Sequence, residues 1–249
     1  MKAISKKNLN KIRYEWDEIS HLRHMQITSG IDISYKNIIL PCVIELSRNS
    51  NYSSVLDVGC GTGILEAKLS LLSDKVIGVD LSSKSIDIAR NYCKGLDNVS
   101  FENMTVENYA TKTNMSRFTL VIANMTLMTC TDLRGVLQAI AKLLTPKGTF
   151  VATLAHPCFW PIYWGYDKSK WFKYNEQIII EAPFKISKQT TNHITTHIHR
   201  PMGMYLNTMA DCGLIIDRFL EPMPDEKIEQ KYRKKWQFPR FVGIRCIKK

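Results

Sequence analysis

The chain has 249 residues, with 34 Lys and Arg against 23 Asp and Glu, a formal charge of +11. That length holds one full α/β domain with an elaboration, or two small domains. No apolar run approaches the ~20 residues of a membrane span, and the basic N-terminal stretch lacks the apolar core of a secretory signal. The seven cysteines are scattered, with no CxxC pair or Cys/His cluster. They read as reduced thiols of a cytoplasmic protein rather than as a disulfide framework.

Residues 1–28 read as a basic amphipathic helix, with Leu9, Ile12, Trp16, Ile19 and Leu22 at helical spacing. Gly30 and Asp32 interrupt it, and residues 35–47 give a second helix containing Pro41. An apolar strand (Val55, Leu56, Val58) then breaks into a turn at Gly59, Gly61 and Gly63. Glycine tolerates positive φ and lets a ligand approach the backbone closely. The next segment puts Ile64, Leu65, Leu69 and Leu72 on one helical face, and a second apolar strand over residues 75–79 ends in Asp80. Strand, turn, helix and strand make a right-handed parallel βαβ unit. Such a unit cradles a cofactor at the carboxyl end of the sheet, where an acid about 20 residues on accepts from ribose hydroxyls. The turn is not GxGxxG, because bulk (Ile64 or Leu65) stands where the third glycine belongs, and it is not the GxxxxGK[ST] triphosphate loop.

Ser82 is a fitting N-cap for a helix that buries Ile86, Ile88, Ala89 and Tyr92. A short strand covers 99–101 and a strong apolar strand 118–123, with Asn124 at its carboxyl end, where open α/β sheets place ligand contacts. Asp132 opens a helix that buries Leu133, Val136, Leu137, Ile140 and Leu144, and a TPKG turn leads to a strand over 149–154. The pattern then changes. Residues 156–174 hold eight Phe, Trp and Tyr side chains, with His156 beside them. They form either a lid that stacks on a flat acceptor or the small core of an insertion. Strands over 177–182 and 193–199 follow, then a helix with Pro201 in its first turn and Gly213 at its end. Two last strands, 214–219 and 240–247, flank a polar connection.

The stretch VLDVGCGTG, with Asp57 two residues before the loop and Asp80 at the end of the next strand, resembles the first motif of the class I S-adenosylmethionine-dependent methyltransferases. Residues 118–133 are similar to that family's fourth motif, and HPCF, hairpin and HRP in sequence resemble a branch that methylates small molecules. The resemblance covers nearly the whole chain and is strongest over 55–155. It implies an α/β, Rossmann-like, doubly wound, mostly parallel seven-stranded sheet with an antiparallel last strand. It also implies an N-terminal helical lid (1–50), a cofactor-binding core (51–155), an aromatic-rich hairpin cap (156–200) and a C-terminal return to the sheet (201–249). The cofactor implied is S-adenosylmethionine, with S-adenosylhomocysteine as product and no metal. Its wall is expected from Tyr35, Asp57, Gly59, Cys60, Gly61, Asp80, Leu81, Thr105, Val106, Asn124 and Met125. One departure is plain: Met104 and Thr105 stand where the family usually has Gly and the Asp that holds the adenine amine.

Methyl transfer is an in-line displacement, so positioning supplies much of the rate, and a general base adds ~10²–10⁴-fold for a hydroxyl acceptor. His156, His199 and Tyr14 are the expected catalytic side chains. Trp160, Tyr163, Arg200 and Tyr205 are the expected substrate contacts, Arg200 for an anionic acceptor because its fork suits a carboxylate or phosphate. His193, His197 and His199 alternate on one strand but have no carboxylate beside them to complete a metal site. The expected partner is a small molecule of specialised metabolism, with no membrane and no nucleic acid. Asn124, Met125, Thr126 and Leu127 stand where RNA-directed relatives carry an NPPY-like tetrapeptide. The alternatives are a peptide-directed methyltransferase and a non-catalytic module that binds the cofactor.

Overall fold

The structure is a computed structural model that describes residues 1–112 and 117–249. Strand β1 (Lys2–Ile4) precedes a long helix α1 (Leu9–Thr28), and a π-helical turn (Tyr35–Ile39) runs into α2 (Leu40–Ser47). The core then alternates β2 (Ser54–Val58), α3 (Ile64–Leu69), β3 (Lys75–Asp80), α4 (Ser83–Tyr92), β4 (Val99–Asn103), α5 (Val106–Lys112), β5 (Phe118–Asn124), α6 (Leu133–Leu143) and β6 (Leu144–Ala155). After a short α7 (Trp160–Trp164), β7 (Ile178–Ile186) and β8 (Gln189–His199) form a hairpin. The chain ends with α8 (Met202–Asp211), β9 (Leu214–Leu220), α9 (Glu226–Glu229) and β10 (Phe241–Lys248).

The main sheet has seven strands in the order β4-β3-β2-β5-β6-β10-β9. Neighbours from β4 to β6 pair in parallel, and β10 runs antiparallel to both β6 and β9. Val55, Leu56, Leu120, Val121 and Ile122 are fully buried, as befits central strands covered on both faces. On one face α6 presses Val136, Leu137, Ile140 and Leu143 onto the sheet. On the other, α2 and α3 supply Val43, Leu46, Leu65 and Leu69. Successive strands step outward in opposite directions from β2 and β5. The crevice between their carboxyl ends is therefore the topological switch point, where such sheets bind ligands.

A second sheet, β1-β7-β8, sits beside the main one. Here the structure corrects the expectation that residues 1–28 are all helical. Lys2, Ala3 and Ile4 pair antiparallel with Glu181, Ile180 and Ile179, because β7 offers an edge that three extended residues can fill. The hairpin strands are also longer than expected. The helix after the glycine loop is shorter: it stops at Leu69, leaving Leu72 64% exposed. Tyr92 is likewise exposed, with its ring against His24. Leu144 begins β6 instead of closing α6. No helix among the described residues is long and apolar enough to cross a membrane.

Helix α2 lies so close to β10 that a Cβ on Gly243 would fall 2.5 Å from Cys42 Sγ and 2.6 Å from Leu46 Cδ1. Gly243→Ala should cost about 1–3 kcal/mol through overpacking. Thermal unfolding followed by circular dichroism should show the midpoint falling by about 2–4 °C for each kcal/mol.

Candidate active site

A cavity of about 370 Å³ opens at the switch point and runs from the glycine loop to the β7-β8 hairpin. The loop is built around close approaches. Gly59 has φ 74°, and a Cβ there would lie 2.4 Å from Thr126 Oγ1. Gly61 has φ 56°, and a Cβ there would meet nothing within 4 Å, so the loop offers bare backbone to the cavity. The Gly61 N–H donates to Asp80 Oδ2 at 2.9 Å, and Ser82 N–H donates to Asp80 Oδ1 at 2.8 Å. Burial raises the Asp80 pKa, and these backbone donors oppose the rise.

Asp57 and Glu66 meet beneath the loop. Both are buried, and among the described residues Asp57 Oδ1 and both Glu66 oxygens have no donor other than a proton shared between the two carboxyls. Burial is the largest cause raising each carboxyl, and their mutual charge works in the same direction on Glu66. A proton held between the two carboxyls resolves the conflict, since two adjacent buried carboxylates do not both ionise. Asp57 lines the cavity, so the acid pair lies at the end where a cationic ligand would be matched. Bare loop backbone, the Asp80 carboxylate and this acid pair together fit S-adenosylmethionine, which carries an ammonium, a sulfonium and a ribose diol.

Helix α1 covers the cavity. Ile12, Trp16, Ser20 and Arg23 line it, and Trp16 meets Phe184 of the hairpin edge-on at 6.2 Å. Asp17 Oδ1 accepts from Ser82 Oγ at 2.7 Å and from Lys84 N at 3.2 Å. Glu15 Oε2 accepts from Thr196 Oγ1 at 2.8 Å. The lid is thus pinned to α4 on one side and to β8 on the other.

All the residues expected at the cofactor wall, from Tyr35 through Met125, line this one cavity. Thr105 Oγ1 accepts from Asn108 N at 3.2 Å at the start of α5, and Glu107 lines the wall nearby. Glu107 is an acid at this wall that attention to Met104 and Thr105 overlooked. Trp160 and Tyr163 also line the cavity, as expected for substrate contacts.

Five expected residues do not line it. Arg200 is 1% exposed, and its guanidinium donates to Gln177 Oε1 at 2.6 Å, to Leu127 O at 3.1 Å and to Cys130 O. It clamps the loop after β5 from behind, with the buried Tyr205 ring beneath it. His156 sits outside the cavity. Its Nδ1 accepts from Cys158 N, which leaves Nε2–H to donate to Glu221 Oε1 at 2.7 Å. His199 bonds Tyr174 O at 3.0 Å through Nε2, among Tyr166, Phe172 and Tyr174. Tyr14 points to solvent, 62% exposed. The expectation that these side chains act on a bound substrate is corrected by their placement. The Arg200 fork and the two histidine rings are engaged by structural partners, Tyr14 faces water, and His199, Arg200 and Tyr205 line a small adjoining cavity behind Trp160 and His197.

The residues the sequence missed are Lys185 and Arg240, both on the cavity wall, where His197, weighed only as a metal ligand, and Trp164 of the aromatic run also lie. Burial pushes the His197 pKa down to about 3, with His199 and Arg200 adding to it, so its imidazole is neutral. The aromatic run serves both roles: Trp160, Tyr163 and Trp164 line the cavity, and Trp160 and Trp164 also pack with Tyr166, Trp171, Phe172, Ile178 and Ile180 into the core of the cap. No group of three or more His, Cys, Asp or Glu able to hold a metal is found among the described residues.

Fold, glycine loop and the acid that ends β3 together have the form of the class I S-adenosylmethionine-dependent methyltransferases. Residues 49–210 match the family model of a methyltransferase domain, and the chain belongs to that family. A ubiquinone biosynthesis O-methyltransferase of Bordetella avium (strain 197N) is 31% identical over 160 residues, which span 61% of this chain and 65% of the relative. The match to a second such enzyme, from Bartonella tribocorum, is shorter, spanning 40% of either chain at 32% identity. The chain thus spans less than two thirds of the length of these relatives. The fold is shared with an S-adenosylmethionine-dependent methyltransferase from Mesorhizobium loti (TM-score 0.63, 17% identity, 84% of this chain and 96% of that one). It is also shared with the N-methyltransferase NodS from Bradyrhizobium japonicum WM9 in complex with S-adenosylhomocysteine (TM-score 0.55, 13% identity, 84% and 83%).

The acid pair sets a pH dependence. The folded chain keeps a proton that the unfolded chain releases above the ordinary carboxylate range. Its stability therefore falls as pH rises from that range toward the raised one. Glu66→Gln should flatten this slope: between pH 5 and pH 8 its thermal midpoint should drop less than that of the parent protein.

Proposed function

We propose that the protein transfers a methyl group from S-adenosylmethionine to an oxygen or nitrogen of a small molecule held between the glycine loop and the cap. The observation that carries this reading is the covered cavity in which the cofactor wall runs directly into Trp160, Tyr163 and Trp164. A relative named for O-methylation supports an oxygen acceptor. An opening covered by α1 and the hairpin favours a compact acceptor over a peptide.

When bound, the cofactor supplies an activated methyl on a sulfonium leaving group. The acceptor oxygen or nitrogen would take that methyl carbon as sulfur leaves with the bonding pair, and its proton would pass to solvent. The chain's own contribution is positioning. Asp80 is oriented by Gly61 N and Ser82 N to receive hydroxyls, Asp57 matches positive charge, and the aromatic wall excludes water. None of the histidines first expected as bases reaches this space, and the His197 ring that does is a weak base. The rate therefore rests on alignment.

Calorimetric titration of S-adenosylhomocysteine is the first test. Asp80→Ala should weaken binding ~10–100-fold, the loss of charge-assisted hydrogen bonds worth about 1.5–3 kcal/mol. Labelled donor incubated with a metabolite pool and with a peptide pool should label a metabolite. Labelling of peptides alone, or donor binding without transfer to either pool, would overturn the proposal.

A further inference from the structure

The cavity is electrically lopsided. Asp57 and Asp80 line the end against the glycine loop, and Lys185 and Arg240 line the end against the cap. A cationic donor accounts for the acids.

Neither cation forms an ion pair among the described residues. Lys185 is half-buried on β7 with its ammonium 5.7 Å from the centre of the Trp164 ring, and burial lowers its pKa. Arg240 is 6% exposed. Its guanidinium lies 4.0 Å from the Tyr163 ring centre and 4.2 Å from that of Trp236. Of its five N–H groups, one reaches Lys234 O at 3.4 Å. The Glu229 charge acts on Arg240 from beyond ion-pair distance, its Oε1 accepting from Trp236 N at 2.8 Å. Desolvated cations without a counter-ion are costly, whereas Arg23 on the same wall has Asp32 at 3.0 Å.

The two cations belong to one subsite. Ser187, two residues after Lys185, contacts Ser34 Oγ at 3.4 Å, and Ser34 Oγ contacts Tyr232 OH at 3.1 Å. The Tyr232 ring lies 5.4 Å from the Arg240 guanidinium. Between the cations stand flat rings, with Trp160 5.1 Å from Tyr163 and 5.6 Å from Trp164.

Given methyl transfer in this cavity, we propose that the acceptor is an organic anion with a flat apolar body. Its carboxylate or phosphate is drawn to the end of the cavity that Arg240 and Lys185 flank, its body lies on the Trp160 and Trp164 rings, and its nucleophile faces the glycine loop. The anion contact first expected of Arg200 is made instead by these two side chains, one on the hairpin and one at the start of β10.

The test uses full-length protein loaded with S-adenosylhomocysteine and follows tryptophan fluorescence during titration with benzoate, phenyl phosphate and neutral benzamide at fixed ionic strength. Both anions, or one of them, should bind at least about tenfold more tightly than benzamide, as expected for one charge-assisted hydrogen-bonded contact. Their order tells carboxylate from phosphate. Lys185→Gln and Arg240→Gln should each remove most of that preference while S-adenosylhomocysteine affinity stays within about twofold, as the two cations stand away from the glycine loop. If Arg240→Gln does not fold, Lys185→Gln on the hairpin edge carries the test alone. Benzamide binding as tightly as the anions, or a preference that survives substitution, would overturn the anion subsite. Failure of S-adenosylhomocysteine to bind at all would instead count against methyl transfer.

Discussion

The carboxylate of Asp80 is the junction on which the site depends. One oxygen takes the Gly61 N–H and the other the Ser82 N–H. The loop after β2 and the turn into α4 are therefore held to the end of β3 by a single side chain. Ser82 extends the connection: its hydroxyl accepts from Ser85 N at 3.1 Å as the cap of α4 and donates to Asp17 of α1. Loop, helix and lid share one short chain of hydrogen bonds. A buried acid with two backbone donors is oriented before any ligand arrives, so little of its hydrogen-bonding energy goes into ordering it.

Charge is distributed along the cavity with the same directness. Acids cluster under the loop, where the cationic groups of the donor would sit, and two bases with no ion pair among the described residues stand by the aromatic wall. Positive charge over the rest of the chain is mostly solvated, but Lys185 and Arg240 are withdrawn from water and stacked on rings. Such a field orients a pair of oppositely charged reactants head to tail, and in a low-dielectric cavity it is screened little by salt.

The cofactor wall was legible in the sequence because its geometry is local. A strand, a glycine turn and a following strand end place Asp57, Gly61 and Asp80 whatever surrounds them. The wrong expectations concern residues whose partners come from far along the chain. Arg200 looked like a free fork, yet the carbonyls that take up its donors belong to residues 127–131, about 70 positions earlier. His156 and His199 stand at loop ends, where catalytic groups often lie, but Glu221 and Tyr174 O claim their rings. Strand β1 is too short to announce itself and exists because β7 has an open edge. Lys185 and Arg240 lie far apart in sequence and meet the same group of rings only once the hairpin folds beside β10.

The lid's two attachments have a kinetic meaning. Helix α1 is fastened to the donor side through Asp17 and to the acceptor side through Glu15 and Thr196, and β1 continues it into the hairpin sheet. If α1 swings open, its attachments at both ends of the cavity must give way together, so one opening event would serve both ends.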